Sequence, residues 1–387
     1  MNELEITALA AGGDGVARDE GGRVTFIPRS AVGDRVRVNL VKETKSFARG
    51  ELVEVVTASA DRVQPPCEYF LAGCGGCAWQ HINRPAQLAA KQAILVGALR
   101  KLEGLAIEAI ADPAPPYGWR RRARFHIAGG KVGLYAEGTQ RVIPIAHCPQ
   151  LEPALDAALH LVAAASPPDG ELMLLLGHKG EVVVSVEHGW RGAPPLIGRA
   201  GIVGILAGRD AHGTATIEVE PGLFGGPRDF AQASAAGNAA LIAIARTALG
   251  KGPGQLLELH AGAGNLTRGF VDDGWTVHAS DTAQPPRPSA PAPASFRTAA
   301  ADVALDKAKG PFDAIVLDPP RTGAAEAMAG VIKQAPRTVV YVSCDPATLA
   351  RDAVELTKAG YRAERAWPID LMPQTAHIEV VLRLVRA

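Results

Sequence analysis

The five cysteines, at positions 67, 74, 77, 148 and 344, divide into a group of four and one apart. Cys344 closes the run Val339-Val-Tyr-Val-Ser-Cys and is followed by Asp345-Pro346. Asp345 can cap a helix and Pro346 suits its first position, so the thiol stands beside a helix N-terminus, where the dipole favours a thiolate. That is an address for a nucleophile, to be set against the usual fate of a lone cysteine as a small core residue. Cys67, Cys74 and Cys77 share a glycine-rich stretch in which Gly75 and Gly76 let the backbone fold between ligands. Cys148, followed by Pro149, completes a set of four, with His147 or His81 as substitutes. Such donors suit zinc or an iron-sulfur cluster. An odd number of cysteines argues against a disulfide framework. Four thiolates would close the site, which favours a structural or sensing role over catalysis at the metal.

A second group of residues suits a small ligand. The stretch Gln255-Leu-Leu-Glu-Leu-His-Ala-Gly-Ala-Gly-Asn265 reads as strand, tight glycine turn and helix, with Gly262 and Gly264 letting a ligand approach the backbone. A dinucleotide site would place a third glycine where Leu266 and Thr267 stand, so the pattern suits S-adenosylmethionine better than NAD. The next apolar run, Trp275 to Asp281, ends in an acid at the distance where a ribose diol is gripped. Asp302, near an expected adenine edge, and Asp318, at the end of Phe312-Asp-Ala-Ile-Val-Leu-Asp, extend the series.

These residues need elements to carry them. At 387 residues the chain suits two or three domains, and a formal net charge of zero excludes a strongly basic nucleic-acid binder while allowing basic patches. No apolar run approaches a membrane span and the chain opens on Met1-Asn-Glu-Leu-Glu, so a cytoplasmic protein with no membrane partner is expected. Residues 1–60 hold short alternating runs separated by Gly/Asp turns, the pattern of a small β-barrel. Its turns and Phe26-Ile-Pro28 resemble a TRAM domain, an OB-like RNA-binding barrel, with Lys42, Lys45 and Arg49 placed to meet phosphates. Residues 61–227 read as a middle α/β domain carrying the cysteines, with a helix over 85–104 whose apolar positions are Leu88, Ile94, Leu95 and Leu99 and which can pack on the last domain. Arg120, Arg121, Arg122 and Arg124, among aromatics, suit phosphate contact and base stacking. Residues 228–387 read as a doubly wound α/β domain in which a flexible Pro-rich loop, Ala283 to Ala294, replaces one helix.

Asp318-Pro-Pro-Arg-Thr-Gly323, Val340-Tyr-Val-Ser-Cys-Asp-Pro-Ala-Thr348 and Asp370-Leu-Met-Pro-Gln-Thr-Ala-His-Ile-Glu379, in this order, resemble the RNA 5-methyluridine methyltransferase family. The barrel and the four cysteines resemble its 23S ribosomal RNA branch. The resemblance implies an α/β S-adenosylmethionine-dependent methyltransferase (Rossmann-like) domain that methylates uracil C5 in RNA. It implies Cys344 as nucleophile and Glu379 as base. It assigns Gln232, His260, Asn265, Asp281, Asp302 and Asp318 to the S-adenosylmethionine site, beside Gly262 and Gly264. It further implies a [4Fe-4S] cluster on Cys67, Cys74, Cys77 and Cys148, a flipped target uridine, and a monomer with no DNA partner. The competing readings are 5-methyluridine formation in transfer RNA, a non-catalytic RNA-binding redox sensor, and amino-methylation, which would need no downstream cysteine. Three positions depart from the family pattern: Asp345 for Asn, Met372 for Phe, and His260-Ala261 for an aromatic-Cys pair. The charge of Asp345 is expected to raise the Cys344 pKa against the helix dipole.

Overall fold

Apolar residues alternating with charged ones build a six-stranded sheet at the N-terminus of the computed structural model, which describes residues 2–283 and 294–386. The strand order is Asn2–Glu5, Arg35–Glu43, Phe47–Thr57, Val24–Ile27, Gly15–Arg18, Ala8–Leu9. Alternation buries Leu4, Ala17, Ile27, Val36 and Val38 together and turns the charges outward. Arg49 does not stand free for phosphate: it pairs with Asp14, while Lys42 lies over the Phe47 ring at 5.9 Å.

A seven-stranded sheet follows, from Val142–Pro144 at one edge to Asp210–Gly213 at the other. Its pairs are antiparallel except for Val182–Val186 beside Ile202–Ala207. The helix Pro153–Ala164 covers one face with Leu155, Leu159 and Val162, and Cys74 and Cys148 pack at the border of that core. The arginine run is divided by this packing. Arg121 is buried, pairs with Glu220 and donates to the Gln232 carbonyl, whereas Arg122 donates to Asp229 O at 3.1 Å and Arg124 to Glu171 at 3.3 Å. Arg120 and Arg122 are half-buried and Arg124 is exposed.

The C-terminal sheet has eight strands, in the order Ala294–Thr298, Trp275–Asp281, Gly254–Leu259, Ala314–Leu317, Thr338–Ser343, Glu379–Arg386, Tyr361–Ile369, Ala106–Ile107. The first five run parallel and Glu379–Arg386 runs against them. Helices bury both faces, so the central strands read as near-continuous Val, Ile and Leu. The expected Pro-rich loop lies on 284–293, outside the described residues.

The last sheet takes its edge strand, Ala106–Ile107, from the segment before the middle sheet. The preceding helix, expected over 85–104, runs Arg84–Leu99 from Asn83, whose side chain accepts from Ala86 N at 2.9 Å. Leu95, Leu99 and Leu102 enter the same core as Leu349, Leu356 and Tyr361. Leu88 and Ile94 are only partly buried, and the polar Gln87 and Lys91 take the innermost places instead.

Candidate active site

Parallel strands deliver their C-terminal ends to one edge, and several of the residues expected from the sequence lie there. His260 follows Gly254–Leu259, Asp281 ends Trp275–Asp281, Asp318 follows Ala314–Leu317, and Cys344 follows Thr338–Ser343. Glu379 begins an antiparallel strand, so its N-terminal end reaches the same edge. Ser343 pairs with Val380, which sets Cys344 and Glu379 side by side in register.

The glycine turn is tightly wound. His260, Gly262 and Gly264 have φ of 58°, 57° and 85°, and for His260 that is a conformation few non-glycine residues adopt. Asp281 accepts from Gly262 N at 2.8 Å and from Ala283 N at 3.0 Å. A Cβ at Gly262 would meet open space, and the buried His260 Nε2 has no protein partner. Open space at the turn, an unused buried nitrogen and a carboxylate beside it suit a polar ligand such as S-adenosylmethionine. Glu258, beneath the turn, accepts from Thr267 Oγ1 at 2.5 Å, and burial pushes its carboxyl up to about 8. Other residues of the expected set stand apart. Asn265 exchanges amide hydrogen bonds with Asn238 at 2.7 and 3.0 Å, Asp302 is exposed in the first turn of Ala301–Lys307, and Gln232 is held by its carbonyl.

Around the thiol the charges are mostly negative. Burial and then Glu379 push Cys344 up to about 11, with Asp318 adding to this and Arg321 opposing it. Asp345 is not the charge that matters, contrary to expectation: its carboxylate accepts from Ala347 N at 3.0 Å and Thr348 N at 2.9 Å as the helix cap. Burial and then Asp318 lift Glu379 well above the usual carboxylate range, with Arg321 opposing, and burial lifts Asp318 to about 7. Three groups were not singled out from the sequence. Arg321 projects from the loop after Asp318, with its Nη2 3.0 Å from His377 Nε2. Asp352 accepts from Tyr341 OH at 2.7 Å and Ala324 N at 2.9 Å, fastening that loop to the helix Pro346–Lys358. Lys91, fully buried, donates to Asp370 at 2.6 Å and to Met372 O at 3.2 Å, anchoring the segment that leads to Glu379. Arg321 and Asp370 both lay within the quoted motifs; Asp352 falls four residues past the end of one, and a lysine on an apolar helix face gave no such signal.

The other four cysteines line one cavity of about 90 Å³, with Arg120, Gln150 and Thr375. Burial pushes Cys77 up to about 12 and Cys148 up to about 11. Arg120 Nε and Gln150 Nε2 are buried there without partners. Among the described residues no three His, Cys, Asp or Glu side chains converge as a single metal ion requires. The cavity touches the other site: Ala78 N and Trp79 N, just after Cys77, both donate to Gln374 O at 3.0 Å.

Residues 294–387 match the tRNA (Uracil-5-)-methyltransferase family and residues 2–53 the TRAM domain. The 23S rRNA (uracil(1939)-C(5))-methyltransferase of Alkalilimnicola ehrlichii is 31% identical, covering 97% of this chain and 95% of its own. That of Chromohalobacter salexigens is 33% identical, covering 99% and 89%. The chain belongs to the RNA uracil-C5 methyltransferase family. As a uracil-C5 methyltransferase it shares its fold with the tRNA (uracil-54, C5)-methyltransferase of Pyrococcus abyssi, solved with S-adenosyl-L-homocysteine, at a TM-score of 0.77 and 21% identity over 99% of this chain and 100% of that one. In this methyltransferase no described helix is long and apolar enough to cross a membrane.

Proposed function

We propose that this methyltransferase acts on a uridine of 23S ribosomal RNA by covalent catalysis through Cys344. The observation that carries the reading is the pairing of Ser343 with Val380, which sets a thiol and a buried carboxyl side by side at the edge where the glycine turn opens. Uracil C5 is too weak a nucleophile to take a methyl group unaided. Cys344 Sγ, its proton given to solvent, bonds to C6, and the displaced π pair becomes an enolate spread over C5 and O4. Arg321 is the cation at hand for that charge. S-adenosylmethionine, when bound, supplies the electrophilic methyl group that C5 attacks. Glu379 then takes the C5 proton, the C5–C6 double bond re-forms, and Sγ leaves. Glu379 takes that proton only as the carboxylate, and Arg321 is the group that opposes the rise in proton affinity caused by burial and Asp318. His260, Gly262, Gly264 and Asp281 would hold the cofactor, with Asp318 beside it and Gln232, Asn265 and Asp302 completing the set that the family resemblance supplies. The uridine must be flipped from any stack to reach Cys344, at a cost of a few kcal/mol.

Cys67, Cys74, Cys77 and Cys148 would hold a [4Fe-4S] cluster. The shared cavity and the two unpartnered donors suit an anionic group larger than one ion. When bound, the cluster would supply a structural closure between the cysteine loop and the Gln374 segment. The 23S assignment draws on the named activity of the two bacterial relatives. The test is transfer of labelled methyl from S-adenosylmethionine to 23S and transfer RNA, each lacking 5-methyluridine, followed by nucleoside mapping. Label in one 23S uridine is expected; label confined to transfer RNA, or in a base other than uracil, overturns the reading.

A further inference from the structure

We propose that His377 is a positioning residue that holds the Arg321 guanidinium toward Cys344 and Glu379 while leaving its positive charge uncompensated. This rests on the uracil-C5 reading above and assigns a new role within that site.

Arg321 is fixed at its backbone and loose beyond it. Its carbonyl accepts from Thr348 Oγ1 at 3.3 Å, the next carbonyl, Thr322 O, accepts from Arg351 Nη2 at 3.0 Å, and Asp352 holds Ala324 N. The side chain itself is exposed, and an unrestrained arginine surrenders substantial rotamer entropy whenever it is aimed. Its side-chain hydrogen-bond partner is the imidazole of His377, with Nε2 at 3.0 Å and Nδ1 at 3.3 Å from Nη2. A guanidinium only donates and a neutral imidazole accepts through one nitrogen, so the hydrogen bond is the shorter contact, to Nε2, and the 3.3 Å approach to Nδ1 is a close contact beside it.

The choice of partner has an electrostatic consequence. Arg23, Arg62, Arg84, Arg121 and Arg246 are each paired with a carboxylate, which cancels their charge locally. A neutral imidazole orients the guanidinium without cancelling it. That charge opposes the field of Glu379 and Asp318 on the Cys344 thiol and also acts on Glu379. His377 is kept neutral by burial and by Arg321, Lys91 and Arg120, against Asp345, which together lower its pKa to about 4. It also lies two residues before Glu379, with its N–H donating to Thr375 Oγ1 at 3.3 Å, so one anchored segment carries both the base and the arginine's partner.

The test uses the purified full-length enzyme and two readouts: the pH profile of Cys344 alkylation by iodoacetamide, read on the Cys344 peptide by mass spectrometry, and the separate kcat and KM for RNA. His377→Ala is expected to move the alkylation midpoint upward by about 0.5 to 1 pH unit and to lower kcat roughly tenfold with little change in KM. His377→Asn, which keeps an acceptor, should restore most of both. His377→Glu, which supplies a cancelling carboxylate, should shift the midpoint upward even where the arginine is well held. In an Arg321→Ala background His377→Ala should add nothing. An unshifted alkylation profile in folded His377→Ala overturns the proposal, as does a shift that persists without Arg321. If His377→Ala fails to fold, equal profiles for the Asn and Glu variants overturn it. Full methylation by Cys344→Ala would reject the covalent reading instead, and the alkylation profile would still judge His377.

Discussion

Cys344 and Glu379 stand 35 positions apart in the numbering and become neighbours because Ser343 and Val380 are partners in an antiparallel pair. Strand register is specified by the buried faces it serves: Val340, Val342 and Val381 bury in one core, and Val339, Tyr341, Val380 and Leu382 in the other. A slip of one residue would exchange those faces, so the thiol and carboxyl are held together by the packing of the whole sheet.

Glu379→Gln keeps this shape and removes the base. Turnover should fall by at least about 100-fold, while addition of Cys344 to C6 and methyl transfer still proceed. An RNA-protein adduct should therefore accumulate and be seen as a shifted band on denaturing gels. Loss of turnover with no adduct would place Glu379 at an earlier step.

The field around Cys344 makes a prediction about pH. With its pKa at about 11, the free thiol is protonated near neutrality, and its alkylation rate should climb about tenfold per pH unit until that value is approached. Negative neighbours favour the neutral thiol, so removing one must lower the midpoint. Asp318→Asn should shift the alkylation profile of Cys344 to lower pH, and a shift to higher pH would show that the carboxylate acts in the opposite sense.

The cysteine cavity predicts a visible property. Protein purified without oxygen should be brown and carry about four iron atoms per chain. Cys77→Ser should bleach it and, through Ala78, Trp79 and Gln374, hasten amide hydrogen exchange in residues 374–379. A colourless protein with one zinc per chain would reject the cluster.

Much of this was legible in the sequence because the chemistry lies in contiguous motifs at strand ends. The apolar run before Cys344, the glycines after Leu259 and the acids at 281 and 318 each mark where a buried strand stops, and strand ends are where an open α/β sheet binds ligands. What was not legible depends on partners distant in the chain. Asp345 read as a perturbing charge because it adjoins Cys344, yet its helix cap engages it, and the active charges come from residues 318 and 379. Arg121 has the sequence setting of a nucleic-acid contact, but Glu220 and the Gln232 carbonyl engage it within the fold. The edge strand Ala106–Ile107 is too short to carry a pattern and is defined only by Tyr361–Ile369 beside it.

Asp370 is the clearest case of a motif residue whose work is structural. It is fully buried between Lys91, at 2.6 Å, and Arg84, and its carboxylate also accepts from Met372 N at 3.0 Å. Removing it leaves a fully buried ammonium without a counter-charge, so Asp370→Ala should cost about 3–5 kcal/mol in chemical denaturation. Lys91→Met in the same chain removes that stranded charge, and the double variant should recover much of the loss. The two substitutions would then be strongly non-additive, whereas a single-variant loss under about 1 kcal/mol would mean that water reaches Lys91 in place of the carboxylate.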